Sequence, residues 1–256
     1  MYFISDLDKT LIYSRQKNAI CVEKKENKEI TYVTLKAKNI LDKLLKLPNF
    51  YFIPCTLRSI EQTMRVDFIR NNNLKYIICD NGASIYVNGT LDNNWDNFID
   101  KILDREKVFN ISKKMNEYVE KNNIPIYMIK TNRNAFISII FFNKEDSDLY
   151  IDKLLQFIDD DFDIFRQDKK TYIVPKKLNK KIALEYLKNQ YHIKDIVTSG
   201  DSNVDNKFVE LGDIQIIPKH SVFKTDNAII TQKEGIEAGE EILQIVASLN
   251  SWFFFG

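Results

Sequence analysis

Cysteine, histidine, glycine and proline are all scarce in this chain of 256 residues, with 3, 2, 7 and 5 copies. The cysteines, Cys21, Cys55 and Cys79, are odd in number and form no Cys-x-x-Cys pair. That argues against a disulfide framework and for a reducing, cytoplasmic setting. A catalytic thiol needs a basic partner, and only His192 and His220 are on offer. Cys55 and Cys79 each end an apolar run and read as small core or site-wall residues. No stretch rich in Pro, Gly or Ser marks a linker. Charge of one sign is also missing: 37 Lys+Arg face 36 Asp+Glu. A general grip on nucleic acid needs a basic excess, so that partner class is set aside. No apolar run is long enough to span a bilayer. Met1–Asp6 lacks the charged n-region and cleavage site of a signal peptide and reads as a buried strand. No membrane partner is expected, and no protein partner can be inferred. The apolar tail Trp252–Phe255 reads as a docked terminus or a small sticky patch.

What is present is ordinary for a globular protein: 44% hydrophobic and 29% charged residues, in a chain long enough for a core and a smaller insert. Short apolar runs alternate with amphipathic stretches. Tyr2–Ser5, Phe50–Pro54 and Tyr76–Cys79 read as strands. Thr34–Leu47, with Leu35, Ile40, Leu41, Leu44 and Leu45 at helical spacing, reads as a helix, as does Ile60–Asn71. This alternation predicts a parallel, doubly wound α/β sheet of Rossmann-like type. After Gly82 the rhythm changes. Ser84–Val87 and Asn88-Gly89 suggest a hairpin, Trp95–Asn122 is mostly helical, and Ile124–Lys130 with Ala135–Phe142 form two joined strands. The helix Lys144–Ile158 and a hairpin of Phe162–Gln167 with Thr171–Val174 follow. Hairpins indicate antiparallel sheet. The α/β rhythm resumes with the helix Lys180–Tyr191, the strand Ile196–Thr198, the helix Val204–Leu211, late strands at Ile214–Ile217 and Ala228–Ile230, and a closing helix Ile236–Leu249. The expected organisation is a split catalytic core, residues 1–83 and 176–256, around an inserted α+β domain, residues 84–175.

Four pieces carry chemistry. Ser5-Asp6-Leu7-Asp8-Lys9-Thr10 directly follows the first strand. Ligands of doubly wound sheets bind beyond the carboxyl ends of strands, and paired carboxylates there repel unless a proton or cation intervenes. Mg²⁺ prefers carboxylate and phosphate oxygens together. The second piece is Thr56-Leu57-Arg58, where a hydroxyl and a guanidinium suited to phosphate end an apolar run; a Thr N-cap explains the hydroxyl equally well. The third is Lys180, at a helix start, able to neutralise carboxylates and hold a phosphoryl oxygen, although Lys176, Lys177 and Lys181 around it look like surface residues. The fourth is Thr198-Ser199-Gly200-Asp201-Ser202-Asn203-Val204-Asp205, a strand end with a tight turn at Gly200. Asp201 is a third metal carboxylate and Asp205 supports the site one helical turn later; a capped helix start is the plain alternative.

In this order the four pieces resemble the motifs of the haloacid-dehalogenase (HAD) superfamily, over essentially the whole chain. Asp6 and Asp8 match its paired aspartates, Thr56 its hydroxyl, Lys180 its lysine, Asp201 and Asp205 its acidic end. The insert lies between the Thr56 and Lys180 motifs, as in members with a C2-type cap. Asp80-Asn81-Gly82-Ala83 and Thr56-Leu57-Arg58 look like segments of the Cof-like and sucrose-phosphatase-like branch, which commonly has Gly where Leu57 stands and often Asn where Val204 stands.

The resemblance implies a Mg²⁺-dependent phosphatase for a small phosphorylated metabolite, with a sugar phosphate foremost. Asp6 attacks phosphorus and forms an aspartyl-phosphate; Asp8 protonates the leaving oxygen and then activates water. Mg²⁺ is held at Asp6, the backbone carbonyl of Asp8 and Asp201, with Asp205 completing the metal set. Thr56 and Lys180 bind the remaining oxygens, and Arg58 and Asn81 are candidate substrate contacts. Arg133, Arg166 and Lys130 in the insert are further candidates that read more simply as solvated charges. The insert is expected to cover the site and read the leaving group. A phosphomutase, or a non-enzymatic phosphate-binding regulator on the same fold, are the alternatives.

Overall fold

The structure is a computed structural model that describes residues 1–255, with side chains described through residue 250. The side chains of the tail Trp252–Phe255 therefore lie outside the described residues. The chain runs β1 (Tyr2–Ser5), β2 (Ala19–Lys25), β3 (Lys28–Thr34), α1 (Leu35–Leu44), β4 (Tyr51–Pro54), α2 (Ile60–Thr63), α3 (Asp67–Arg70), β5 (Tyr76–Cys79), β6 (Ser84–Val87) and β7 (Thr90–Leu91). It continues with α4 (Asn93–Ile102), α5 (Arg105–Lys121), β8 (Ile126–Asn132), β9 (Phe136–Phe141), α6 (Lys144–Leu155), β10 (Phe162–Gln167) and β11 (Lys170–Pro175). The last part is α7 (Lys180–Tyr191), β12 (Ile196–Ser199), α8 (Asn206–Val209), β13 (Ile214–Ile217), β14 (Ile229–Ile230) and α9 (Ile236–Phe255).

Two compact units result: Met1–Asn93 with Asn179–Gly256, and Asn94–Leu178. In the first, a parallel sheet has the order β14-β13-β12-β1-β4, extended past β4 by the bridge Cys55–Ile78. The order reverses at β1, so β1 leads to β4 on one side and takes β12 on the other. That crevice is where an open α/β sheet binds its ligand. Phe3, Phe52, Val197 and Ile216 from the sheet pack with Leu41 of α1, Phe68 of α3 and Ile242 and Val246 of α9. Four-residue strands suffice because they are buried on both faces, as parallel strands are.

Three features differ from the reading of the sequence. The hairpin β6–β7, assigned there to the insert, pairs antiparallel with β5 and belongs to the first unit. The chain leaves this unit after Asn93, next to Asp92, whose Oδ2 accepts from the hydroxyls of Tyr186 (3.0 Å) and Tyr191 (2.7 Å) on the returning helix α7. The segment Ile60–Asn71 is two short helices, because Val66 has extended backbone (φ −73°, ψ 121°) and bridges to Glu23. Finally, residues 19–34 form a hairpin, β2–β3, that was not foreseen. Its turn residues Glu26 and Asn27 both have positive φ (49° and 65°), as a tight hairpin turn requires.

The second unit is α+β. Its antiparallel sheet has the order β10-β11-β9-β8. One face, with Ile137, Ile139, Phe141 and Ile173, packs on Val108, Ile111 and Met115 of α5 and Ile151 and Leu154 of α6. Among the described residues, no helix is long and apolar enough to cross a membrane.

Candidate active site

The four sequence pieces meet at the carboxyl ends of β1, β4 and β12. Asp6 follows β1 and is held by its own N–H, which donates to the Ser199 carbonyl at the end of β12 (2.9 Å). Its side chain is nearly buried, at 6% exposure for the residue. Lys180 begins α7, but Asn179 is the cap: its side chain accepts from the Ile182 N–H at 3.1 Å. Lys180 is thereby turned inward and has 0% exposure. Its Nζ donates to Asp6 Oδ1 and to Asp205 Oδ1, both at 2.6 Å. A buried ammonium is costly unless paired. Burial would lower this lysine's pKa, but Asp205 and Asp6 outweigh it and hold the pKa above its ordinary value.

Asp205 is fully buried, and both its oxygens are in use. Oδ2 accepts from the Asp201 N–H (3.2 Å), the Ser202 N–H (2.9 Å) and the Ser202 hydroxyl (2.6 Å). It does not cap α8 with its side chain; it staples the turn after β12 to Lys180. The fit depends on Gly200, where an added Cβ would lie 2.5 Å from the Asp205 Cβ. Asp201 is the other carboxylate of that turn. Its Oδ1 accepts from the Thr10 hydroxyl at 3.1 Å. Ligand atoms of Asp6, Asp201 and Asp205 all lie within 4.8 Å of one another.

Such crowding of buried carboxylates moves their titration. Burial, only partly countered by Lys180, drives the Asp6 pKa well up, and Asp205, Asp201 and Asp8 add to the rise. Burial and then Asp205 push Asp201 up to about 7. A divalent cation between Asp6 and Asp201 would remove this conflict, since it favours the ionised form of both. Hard oxygen donors without sulfur or imidazole suit Mg²⁺. Asp205, spent on Lys180 and the turn, is better placed to hold the site than to ligate a metal.

Asp8 stands apart from this cluster in one respect. Its side chain is 52% exposed and is gripped by Arg58, whose Nε and Nη2 donate to its two oxygens at 2.7 Å each. The third nitrogen, Nη1, donates to Glu23 Oε2 at 2.9 Å. Arg58 is thus a partner of Asp8, not an open anion site. Its burial would lower the guanidinium pKa, but Asp8 and Glu23 raise it. Thr56 is buried, and its Oγ1 accepts the Arg58 N–H at 3.2 Å. The cap of α2 is Ser59, with a full capping box to Gln62, so Thr56 is not needed as an N-cap and its hydroxyl hydrogen is left to donate.

Asn81 lies beside Thr56, donating its N–H to the Thr56 carbonyl at 3.0 Å. It is buried in left-handed backbone (φ 57°), and its Oδ1 has no hydrogen-bond partner among the described residues. Gly82 follows with φ +94°, and a Cβ there would lie 2.6 Å from the Asn179 carbonyl oxygen. Only glycine lets this turn approach the start of α7 so closely. Of the insert residues named from the sequence, Arg133 pairs with Asp96 and Arg166 with Asp152. Burial pushes the thiols of Cys55 and Cys79 well up, which makes neither a nucleophile. Glu23, the second partner of Arg58, was not singled out from the sequence. The signal was there, in two β-branched runs, Ile20-Cys21-Val22 and Ile30-Thr31-Tyr32-Val33, on either side of Glu26-Asn27.

A family model described as sucrose-6F-phosphate phosphohydrolase matches residues 1–218. Solved structures with the same fold include the sucrose-phosphatase from Synechocystis sp. PCC6803 in complex with sucrose and phosphate, 18% identical over 98% of both chains with a TM-score of 0.65. They also include the C-terminal domain of trehalose-6-phosphate phosphatase from C. albicans, 17% identical over 97% of this chain and 92% of that one, with a TM-score of 0.67. A haloacid dehalogenase-like hydrolase from Bacteroides thetaiotaomicron is 12% identical over 96% of this chain and 98% of that one, with a TM-score of 0.61. No curated protein sequence matches the chain.

Proposed function

The chain belongs to the sucrose-6F-phosphate phosphohydrolase family, a family of phosphoric monoester hydrolases within the HAD superfamily, and from that premise we propose that it is a Mg²⁺-dependent phosphatase of a phosphorylated sugar, acting through Asp6. The observation that carries the mechanism is the buried bridge of Lys180 between Asp6 and Asp205. It holds the Asp6 carboxylate, a compensating cation and the acidic turn after β12 around one point at the sheet's carboxyl edge, which supports Asp6 as the nucleophile.

In the first half-reaction an Asp6 carboxylate oxygen attacks phosphorus, the bond from phosphorus to the sugar oxygen breaks, and Asp8, having taken up a proton from solvent on the oxygen it releases from Arg58, gives the sugar oxygen that proton. In the second, water attacks the aspartyl-phosphate, Asp8 takes the proton from the water, and the bond from Asp6 to phosphorus breaks. Lys180 and the Thr56 hydroxyl hold phosphoryl oxygens whose charge builds in each transition state. Asp6 and Asp201 are the side chains that would hold Mg²⁺, which supplies positive charge against the phosphoryl oxygens when bound. Asn81, with its unpaired buried oxygen beside Thr56, is suited to accept a hydroxyl of the substrate. The inserted unit is proposed as the cap that selects the sugar. Three free cysteines support a reducing, cytoplasmic setting.

Release of inorganic phosphate over a panel of sugar phosphates, with Mg²⁺ and after chelation, tests this reading. Turnover of one or more sugar phosphates that stops on chelation and returns with Mg²⁺ is expected. Full activity in the chelated enzyme, or no activity on any sugar phosphate, would overturn it.

A further inference from the structure

The hairpin β2–β3 brings a carboxylate into the interior at a place where the strand pattern alone would turn it outward. The register shifts on both sides of Glu23, so Val22 and Glu23 are both buried while Lys24 and Lys25 are exposed. A bulge of this kind re-aims one side chain. The Glu23 side chain has 0% exposure, and four groups meet it. Its Oε1 accepts from Arg65 Nε at 2.9 Å and pairs with Arg65 Nη2 at 2.9 Å. Its Oε2 accepts from the Thr31 hydroxyl at 3.0 Å and from Arg58 Nη1 at 2.9 Å.

Arg58 therefore has one edge on Glu23 and the other on Asp8. A guanidinium is planar, so fixing one nitrogen against a buried carboxylate sets the plane in which the other two can act. The Asp8 carboxylate is half-exposed and lies on a turn. The backbone adds to the same linkage: Glu23 bridges to Val66, beside Arg65. Arg65, Glu23, Arg58 and Asp8 form one line of alternating charge from the hairpin to the turn after β1.

We infer that Glu23 is a positioning residue for the reaction: by fixing Arg58 it sets the place from which the Asp8 carboxyl reaches the leaving oxygen once it releases one guanidinium nitrogen and takes up a proton. This rests on the reading of Asp8 as the proton donor. Glu23 touches no reacting atom. A merely structural residue would, if lost, lower the rate on every ester alike. A residue that aims Asp8 would matter most where the leaving oxygen needs a proton.

The test compares kcat/KM on para-nitrophenyl phosphate, whose leaving group departs without a proton, with kcat/KM on the best primary hexose phosphate of the panel. Wild type, D8N, E23Q and E23D are measured side by side, with thermal melts to confirm folding. D8N should lower the hexose-to-aryl ratio by about 10²-fold, the low end for loss of a positioned acid. E23Q should lower the same ratio by about 10-fold, since small misplacements carry losses of up to ~10²-fold. E23D keeps the buried charge, and hence the fold, but draws it back from Arg58; it should lower the ratio in the same direction and decides the matter if E23Q does not fold. A ratio that falls in D8N but stays at the wild-type value in folded E23Q or E23D would overturn the role of Glu23. A ratio unchanged in D8N would overturn the acid role of Asp8 itself, and the inference with it.

Discussion

Without metal, the protein should lose stability as the pH rises toward neutrality, and Mg²⁺ should restore it. Asp201 is 5% exposed, close to Asp205, and its pKa is pushed up to about 7 from 3.8. A raised folded-state pKa means that the folded protein keeps a proton the unfolded chain has already released. That contribution is full below the unfolded value and is lost as the pH passes through the folded one. The window is therefore from the ordinary aspartate range to about 7. A shift of roughly 3 units corresponds to on the order of 4 kcal/mol. About two of those units, roughly 3 kcal/mol, fall between about pH 5 and about pH 7, so at about 2–4 °C per kcal/mol for a domain of this size the melting temperature should fall by roughly 6–12 °C over that range. Asp6, raised for the same reason, acts in the same direction. Carboxylates paired on the surface respond oppositely to acid, so the control is Asp201→Asn, which removes this contribution and leaves the others. Thermal melts from about pH 5 to about pH 8, in chelator and in Mg²⁺, read the effect. The Mg²⁺-induced rise should grow with pH in wild type, and the chelated D201N should lose less stability than wild type over the window. Equal slopes for wild type and D201N, or a Mg²⁺ effect independent of pH, would refute the reasoning.

Lys180→Met should lower kcat by about 10²–10³ on every phosphate ester, as for loss of one preorganised donor, with the rank order of substrates preserved. The same change leaves Asp6 and Asp205 without their buried cation and should cost about 3–5 kcal/mol in a denaturant titration; a variant as stable as wild type would show that the bridge contributes nothing. Gly200→Ala forces a Cβ to within 2.5 Å of the Asp205 Cβ, and should cost about 1–3 kcal/mol and weaken Mg²⁺ binding, read by titrating activity against Mg²⁺. Unchanged Mg²⁺ affinity would separate Asp205 from the metal site.

The elements that the sequence pattern predicted best are those in which local preference and tertiary position agree. Tyr2–Ser5, Tyr76–Cys79, Lys180–Tyr191 and Ile214–Ile217 have the expected bounds, because continuous apolar runs and an Asn N-cap mark them. Where tertiary contacts decide, the pattern misled. Periodicity carried Ile60–Asn71 through as one helix, but docking of the hairpin at Val66 and Arg65 breaks it. The hairpin itself escaped notice because its turn is Glu-Asn instead of Asn-Gly and its alternation fails at the bulge. For the site, strand ends marked Asp6, Asp8, Thr56 and Asp201. Lys180 looked like its lysine neighbours, since nothing local says that a helix will turn one of them inward. Arg58 was read as an anion binder, and only the fold shows its two edges already committed to Asp8 and Glu23.

The role of Asp6 can be measured directly. The enzyme, quenched during turnover of a sugar phosphate and reduced with borohydride, is digested and its peptides weighed. Reduction of an acyl-phosphate converts aspartate to homoserine, and that change should fall on Asp6 alone and be absent without substrate. Homoserine at another aspartate, or an unmodified Asp6 in enzyme caught in rapid turnover, would contradict the assignment of Asp6 as the residue that carries the phosphoryl group.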